Sequence, residues 1–192
     1  MDIEFYKNRR SNTTEANPYQ QQNMKRIAMI AALLLTMVSA PAQQDQVAQI
    51  RKLYAEAKEK MASKKKAELP PDETVVTSNY MAAGAGPIKD VIHYFYSGDF
   101  DETLGIDIHE LYFITRRYNV GAREFYEEFL FNEGSLVFYF SKQEANETRY
   151  YWGPNGFLHE VVKGERNMDW VFASRLAHDL KDAFDKLMNR EF

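Results

Sequence analysis

Apolar positions recur at spacings of three and four near the start of the compact part of the chain. Val47, Ile50, Leu53, Tyr54, Ala57 and Met61 would share one stripe of a helix over about residues 44–62. Asp45 is placed to cap it, and Arg51, Lys52, Glu56, Lys58, Glu59 and Lys60 fall on the outward side. Lys64, Lys65 and Lys66 suit the negative end of such a helix. Leu69-Pro70-Pro71-Asp72 stops it, because proline lacks an amide hydrogen and clashes with the preceding turn. A second helical stripe, Phe172, Leu176, Leu180, Ala183, Phe184 and Leu187, predicts a helix over about residues 169–189, capped by Asn167 or Asp169.

The pattern between them is different. After a first candidate strand at Glu73–Met81 and a break at Ala82-Ala83-Gly84-Ala85-Gly86-Pro87, short aromatic and β-branched runs alternate with turn residues. The runs are Lys89–Tyr96, Glu110–Tyr118, Arg123–Phe131, Leu136–Ser141, Thr148–Trp152 and Phe157–Lys163. The turns are Asn119-Val120-Gly121-Ala122, Asn132-Glu133-Gly134-Ser135 and Gly153-Pro154-Asn155-Gly156. The expectation is an α+β domain, an antiparallel meander of about six strands with an N-terminal and a C-terminal helix packed on it.

Drawing the hairpins from these turns pairs Tyr118 with Arg123, Phe131 with Leu136, Ser141 with Thr148 and Trp152 with Phe157. One face then carries the rows Tyr112–Phe129–Phe138–Tyr151–Leu158 and Ile114–Glu127–Phe140–Arg149–Glu160. The other carries Leu111–Leu130–Val137–Trp152–Phe157 and Phe113–Glu128–Tyr139–Tyr150–His159. Arg117 faces Glu124 and Arg149 faces Glu160, and Arg116 is the partner expected for Glu127. Both faces are apolar, whereas an antiparallel sheet usually keeps one face wet. Either each helix covers one face, or one face is left for a partner or ligand.

The N-terminal 42 residues read separately. Met24-Lys25-Arg26 is basic, Ile27–Val38 is apolar except for Thr36, and Ala40 and Ala42 are small residues at the −3 and −1 positions. This is the layout of a secretory signal peptide over residues 24–42, cleaved before Gln43, and the apolar run is shorter than the roughly 20 residues that span a bilayer. Residues 1–23, polar and containing Gln20-Gln21-Gln22, are then a disordered extension or a start-site artefact, with translation beginning at Met24. Residues 43–192 form the single mature domain.

Composition sharpens this division. The whole chain has 192 residues and a formal net charge of −4, with no cysteine. Residues 43–192 hold 19 basic and 25 acidic side chains, a net charge of −6. Mild acidity argues against nucleic acid as a partner. The lack of cysteine excludes disulfides, thiol catalysis and a lipobox anchor, leaving no stable membrane attachment after cleavage. Of the chain's aromatic residues, 20 lie between Val91 and Phe172, which marks the meander rather than a general excess.

Candidate chemistry is sparse. The chain has no G-x-S-x-G, H-E-x-x-H, Walker or G-x-G-x-x-G motif, and no cofactor is expected. Its four histidines, His93, His109, His159 and His178, are scattered. The acidic run from Asp99 to Glu110 places Asp99, Asp101, Asp107 and Glu110 as candidate metal ligands in a loop like that of an EF-hand. It departs from that pattern at Leu104, where the sharp turn requires glycine, and its flanks read as strands. Adjacent Glu127 and Glu128 point to opposite faces of a strand, so they do not form an acid–base pair. Glu128, Tyr139, Tyr150, Trp152 and His159 are the candidate ligand- or partner-binding residues, as polar groups set among flat aromatics.

The exported N-terminus, the helix IRKLYAEAKEKM, the aromatic meander and the closing helix together resemble small, uncharacterised periplasmic proteins of Gram-negative bacteria. That resemblance implies a periplasmic or secreted location and no known activity. The sequence therefore points to a binding or interaction domain for a protein, peptide or glycan, using an aromatic sheet face or an edge strand. The alternative is a periplasmic hydrolase acting around Glu128 and His159.

Overall fold

The computed structural model describes residues 43–63, 72–103 and 105–189. The segment 24–42, read from the sequence as an export signal, the stretch before it and the lysine run at 64–66 lie outside the described residues. Helix α1 covers 43–63. Seven strands follow: β1 (Glu73–Ala82), β2 (Gly86–Asp101), β3 (Ile106–Val120), β4 (Arg123–Asn132), β5 (Ser135–Gln143), β6 (Asn146–Gly153) and β7 (Gly156–Lys163). Helix α2 (Trp170–Asn189) closes the chain. The strands form one antiparallel sheet in the order β1-β2-β3-β4-β5-β6-β7, an uninterrupted meander. Beyond Phe95 and Phe113 the distal parts of β2 and β3 pair only with each other and extend past their neighbours as an arm.

The turn chemistry sets the hairpins. Glu133 and Gly134 both take positive φ, 50° and 73°, as the tight two-residue connection between β4 and β5 requires. Gly164, at φ 76°, lies so close to Asn146 that an added Cβ would meet its Oδ1 at 2.2 Å, so the chain leaves β7 through a position only glycine fits. Asn167 then fastens the connection to the sheet, its backbone N–H donating to Thr148 Oγ1 and its side chain to Ser141 Oγ. Asp169 is the cap of α2, accepting from the Val171 N–H at 2.8 Å.

Each helix covers its own face. Beneath α1, Val47, Ile50 and Ala57 pack with Phe113, Leu130, Phe138 and Tyr151, joined by Leu53, Tyr54 and Met61 as the helical spacing predicts. Beneath α2, Ala173, Ala177, Leu180 and Phe184 pack with Tyr94, Leu111, Ile114, Phe129, Phe131, Tyr139, Tyr150 and Trp152. The stripe of α2 is rotated from its expected position. Phe172 is 62% exposed and Ala183 is exposed, while Ala173 and Ala177 face inward. The sheet beneath is built of large aromatic rings, and two alanines let the helix axis approach them.

The register agrees with the sequence expectation between β5 and β6, where Ser141 faces Thr148 and Tyr139 faces Tyr150. It departs at three places. Between β3 and β4 the strands continue to Val120 opposite Arg123, two residues beyond the expected end, which keeps every side chain on its face. Between β4 and β5 the register shifts at Leu130/Phe131, where Phe131 faces Leu136 but Leu130 faces Phe138. Between β6 and β7 it shifts at Tyr151/Trp152, where Trp152 faces Phe157 but Tyr151 faces His159. Val137 and Leu158 are the extra residues, and each bulge sends all side chains beyond it to the opposite face.

The observed rows are therefore Phe113–Leu130–Phe138–Tyr151–His159 and Thr115–Glu128–Phe140–Arg149–Val161 under α1. Under α2 they are Ile114–Phe129–Tyr139–Tyr150–Glu160 and Arg116–Glu127–Ser141–Thr148–Val162. The two cross-strand ion pairs expected from sequence do not form. Arg117 faces Tyr126 and Glu124 faces Asn119. Arg149 bonds Glu147, and Glu160 bonds Arg166.

The close approach of α2 makes a specific expectation. Ala177→Leu leaves helix propensity nearly unchanged but forces bulk against the aromatic sheet, and it is expected to destabilise by about 1–3 kcal/mol in urea unfolding. Ala183→Leu on the exposed side is expected to stay within about 0.5 kcal/mol.

Candidate functional site

The two adjacent glutamates of β4 are both buried, one on each face. Glu128 lies under α1. Its Oε1 accepts from Lys58 Nζ at 2.8 Å and from the Tyr126 hydroxyl at 2.6 Å, and its Oε2 accepts from the Tyr54 hydroxyl. Tyr54 and Lys58 are one turn apart on α1, so the helix spacing delivers two donors to one carboxylate. Burial and the neighbouring carboxylate push the phenols of Tyr54 and Tyr126 well above their ordinary range, which keeps both as donors.

Glu127 lies under α2, directly opposite Arg116 on β3. Arg116 Nη1 donates to Glu127 Oε2 at 3.4 Å, the partner expected from sequence, while its Nε and Nη2 take Asp90 at 3.0 and 2.7 Å. Tyr139 donates its hydroxyl to Glu127 Oε1 at 2.8 Å. One guanidinium thus serves two carboxylates. Desolvation raises the Glu127 carboxyl above its ordinary value, against the opposing pull of Arg116 and Tyr139.

The residues nominated from sequence as one binding group are divided by the sheet. Tyr139 and Tyr150 are fully buried and Trp152 nearly so, all beneath α2, where Tyr150 donates to the backbone carbonyl of Met168. They are core residues and present no face to a partner. Glu128 and His159 lie on the opposite face, under α1, on strands three apart, on the order of 14 Å at normal strand spacing. The side chains of Asp99, Asp101 and Asp107 lie outside the described residues. Glu110 is exposed on β3, and no group of three or more metal-ligating side chains occurs among the described residues.

The bulge-corrected register creates a feature absent from the sequence rows. Arg149 comes to the α1 face in the row of Glu128 and Phe140, and it borders a cleft of about 240 Å³ between α1 and strands β5 and β6. Arg51 and Tyr54 of α1 form one side, and Phe138, Phe140 and Tyr151 line the rest. The Arg149 guanidinium stands 4.8 Å over the Phe140 ring and donates to Glu147 at 2.9 Å. The Arg51 guanidinium stands 5.6 Å from the Tyr151 ring centre, with Nε directed at the Tyr151 hydroxyl. Tyr54 meets Phe138 edge-on at 5.0 Å. Two cations over an aromatic floor are suited to an organic anion. Of the nearby carboxylates, Glu128 is balanced by Lys58 and Glu147 by Arg149, which leaves Arg51 as the cation at the cleft without an acidic partner among the described residues.

Compared with known proteins, the chain matches no family model, no curated protein and no solved structure.

The raised Glu127 carboxyl has a signed consequence for pH. The fold holds this proton more tightly than the unfolded chain does. The associated stability is therefore complete below about pH 4.5 and is lost as pH rises through the folded value. Glu127→Gln keeps the acceptor for Tyr139 and cannot ionise. Its stability relative to the parent is expected in urea titrations to improve as pH rises from about 4.5 through the folded value and then to level off, and a difference that stays constant or falls would contradict the assignment.

Proposed function

We propose that this chain is an exported, non-enzymatic binding domain that takes a small organic carboxylate in the cleft between α1 and strands β5–β6. The observation that carries the reading is the pair Arg51 and Arg149 at the border of an aromatic-floored cleft. A guanidinium fork matches a carboxylate, and charge-assisted hydrogen bonds of this kind are the stronger ones. Phe138, Phe140 and Tyr151 offer flat apolar contact to the rest of the ligand. At about 240 Å³ the cleft lies below the ~300–1,000 Å³ range of larger ligand sites, which suits a single ring or a short chain. The export half of the reading rests on the basic, apolar and small-residue order of residues 24–42.

A hydrolase at Glu128 and His159 has less support. Both oxygens of Glu128 are engaged by Tyr54, Tyr126 and Lys58, and His159 is three strands away. The sheet-face version of the binding reading also loses its platform, because α2 covers Tyr139, Tyr150 and Trp152.

Calorimetric titration with benzoate, phenylacetate and benzyl alcohol tests the proposal. The two acids are expected to bind and the neutral alcohol not to. Arg51→Gln or Arg149→Gln is expected to weaken the acids roughly ten- to a hundredfold, the equivalent of about 1.5–3 kcal/mol for a hydrogen bond to a charged group. Equal binding of the alcohol, or acid affinity unchanged in both variants, would refute it.

A further inference from the structure

The two edges of the sheet are built differently. β7 carries His159, Glu160 and Lys163, follows a bulge against β6, and has Glu160 held by both Arg166 Nε and Nη2 at 2.7 and 2.8 Å. Charges and bulges of this kind protect an edge from pairing with another chain. β1 has none of these devices. It pairs with β2 in unbroken register over its ten residues, has no proline, and its single charged residue is Glu73 at one end, where it meets His93. Among the described residues no strand pairs with its outer side. Val75, Tyr80 and Met81 are 50%, 48% and 76% exposed there.

The polarity of β1 reads the same in both directions about Ser78. Thr77 and Asn79 flank it, then Val76 and Tyr80, then Val75 and Met81. An antiparallel two-fold partner places residues symmetric about the axis opposite one another and on the same face. With the axis at Ser78, Val75 of one copy faces Met81 of the other, and Val76 faces Tyr80, each pair occurring twice. The polar Thr77 faces Asn79. Glu73 falls at the outer ends, far from its symmetry mate, so no like charges meet. A β-branched side chain opposite an aromatic or long apolar one is a favourable cross-strand pair. Helix α2 packs chiefly on β3 and β5 and reaches β2 through Phe184 on Tyr94 and Tyr96, and Val75, Tyr80 and Met81 of β1 stay exposed beside it.

We infer that β1 is a self-pairing edge, and that two copies of the chain join through antiparallel β1 strands centred on Ser78 into one continuous sheet. This is independent of the carboxylate cleft, which lies on the far strands.

Sedimentation velocity on the full chain tests it together with a crosslink. The wild type is expected to form a concentration-dependent dimer. The double variant Val75→Lys, Met81→Lys is expected to sediment as a monomer with an unchanged thermal melt. The chain has no cysteine, so Ser78→Cys reports on a single pair of positions. Directly opposite residues lie within disulfide reach, and mild oxidation is expected to link Ser78→Cys into a covalent dimer while Val162→Cys on β7 stays unlinked. A wild type that remains monomeric at all concentrations, including one that instead takes up a foreign strand, would overturn the inference. So would a dimer in which Ser78→Cys fails to link. Should the lysine variant fail to fold, the Ser78→Cys crosslink decides alone.

Discussion

Both faces of this sheet are apolar, and that constraint governs everything else in the fold. A meander with one wet face stands with a single covering layer, but Phe113, Leu130, Phe138 and Tyr151 on one side and Ile114, Phe129, Tyr139 and Tyr150 on the other each need removal from water. The chain answers with one helix before the sheet and one after it. The apolar spacing of α1 and the small residues of α2 are the two halves of that answer. The aromatic wealth of the meander is core on both sides, which is why so little of it is left as surface.

The buried polar residues Asp90, Glu127, Glu128, Ser141 and Thr148 are all engaged, and His109 Nδ1 is the one buried side-chain polar atom without a hydrogen-bond partner among the described residues. Glu127 and Glu128 are neighbours in sequence, and the strand's period of two sends them into different layers. Glu128 draws Tyr54 and Lys58 of α1 down to β4. Glu127 ties Arg116 of β3 to Tyr139 of β5. An unsatisfied buried carboxylate costs far more than a satisfied one contributes, so these contacts act mainly by specifying where each layer must sit. The Glu128 contacts also hold the α1 side of the cleft that Arg51 and Arg149 border. The binding proposal therefore depends on the same pin that seats the helix.

Most of the architecture was legible in the sequence, because it is written in local signals. The turns at Asn132-Glu133-Gly134-Ser135 and Gly153-Pro154-Asn155-Gly156, the alternation of the strands, the cap Asp169 and the stripe of α1 all lie where those signals place them. The partner of Glu127 was legible as well. The grouping of Glu128 with Tyr139, Tyr150 and His159 was not, for a single physical reason. The extra residues Val137 and Leu158 are apolar, and an apolar residue beside an apolar row gives no sign that it is a bulge. The slip at Val137 moves Tyr139, Tyr150 and Arg149 to the other face, and the second slip at Leu158 returns His159 to the face of Glu128. The uncorrected rows therefore set Arg149 against Glu160, and Arg51, exposed on α1 as its spacing predicts, has no visible partner across the sheet in them. With the bulges in place, the one-turn spacing of Arg51 and Tyr54 and the row shared by Phe140 and Arg149 bring the cleft together. The rotation of α2 was hidden for a related reason: alanine at 173 and 177 carries little hydrophobic signal, yet small size is what a ring-lined sheet selects.

The central claim is that each face is closed by its own helix and that Glu128 seats α1 alone. Hydrogen exchange of the backbone amides in a Glu128→Ala variant tests it most directly. The account predicts that the amides of α1 lose protection while those of α2 and of the strands beneath it keep theirs. Loss of protection in both helices together, or in neither, would contradict it.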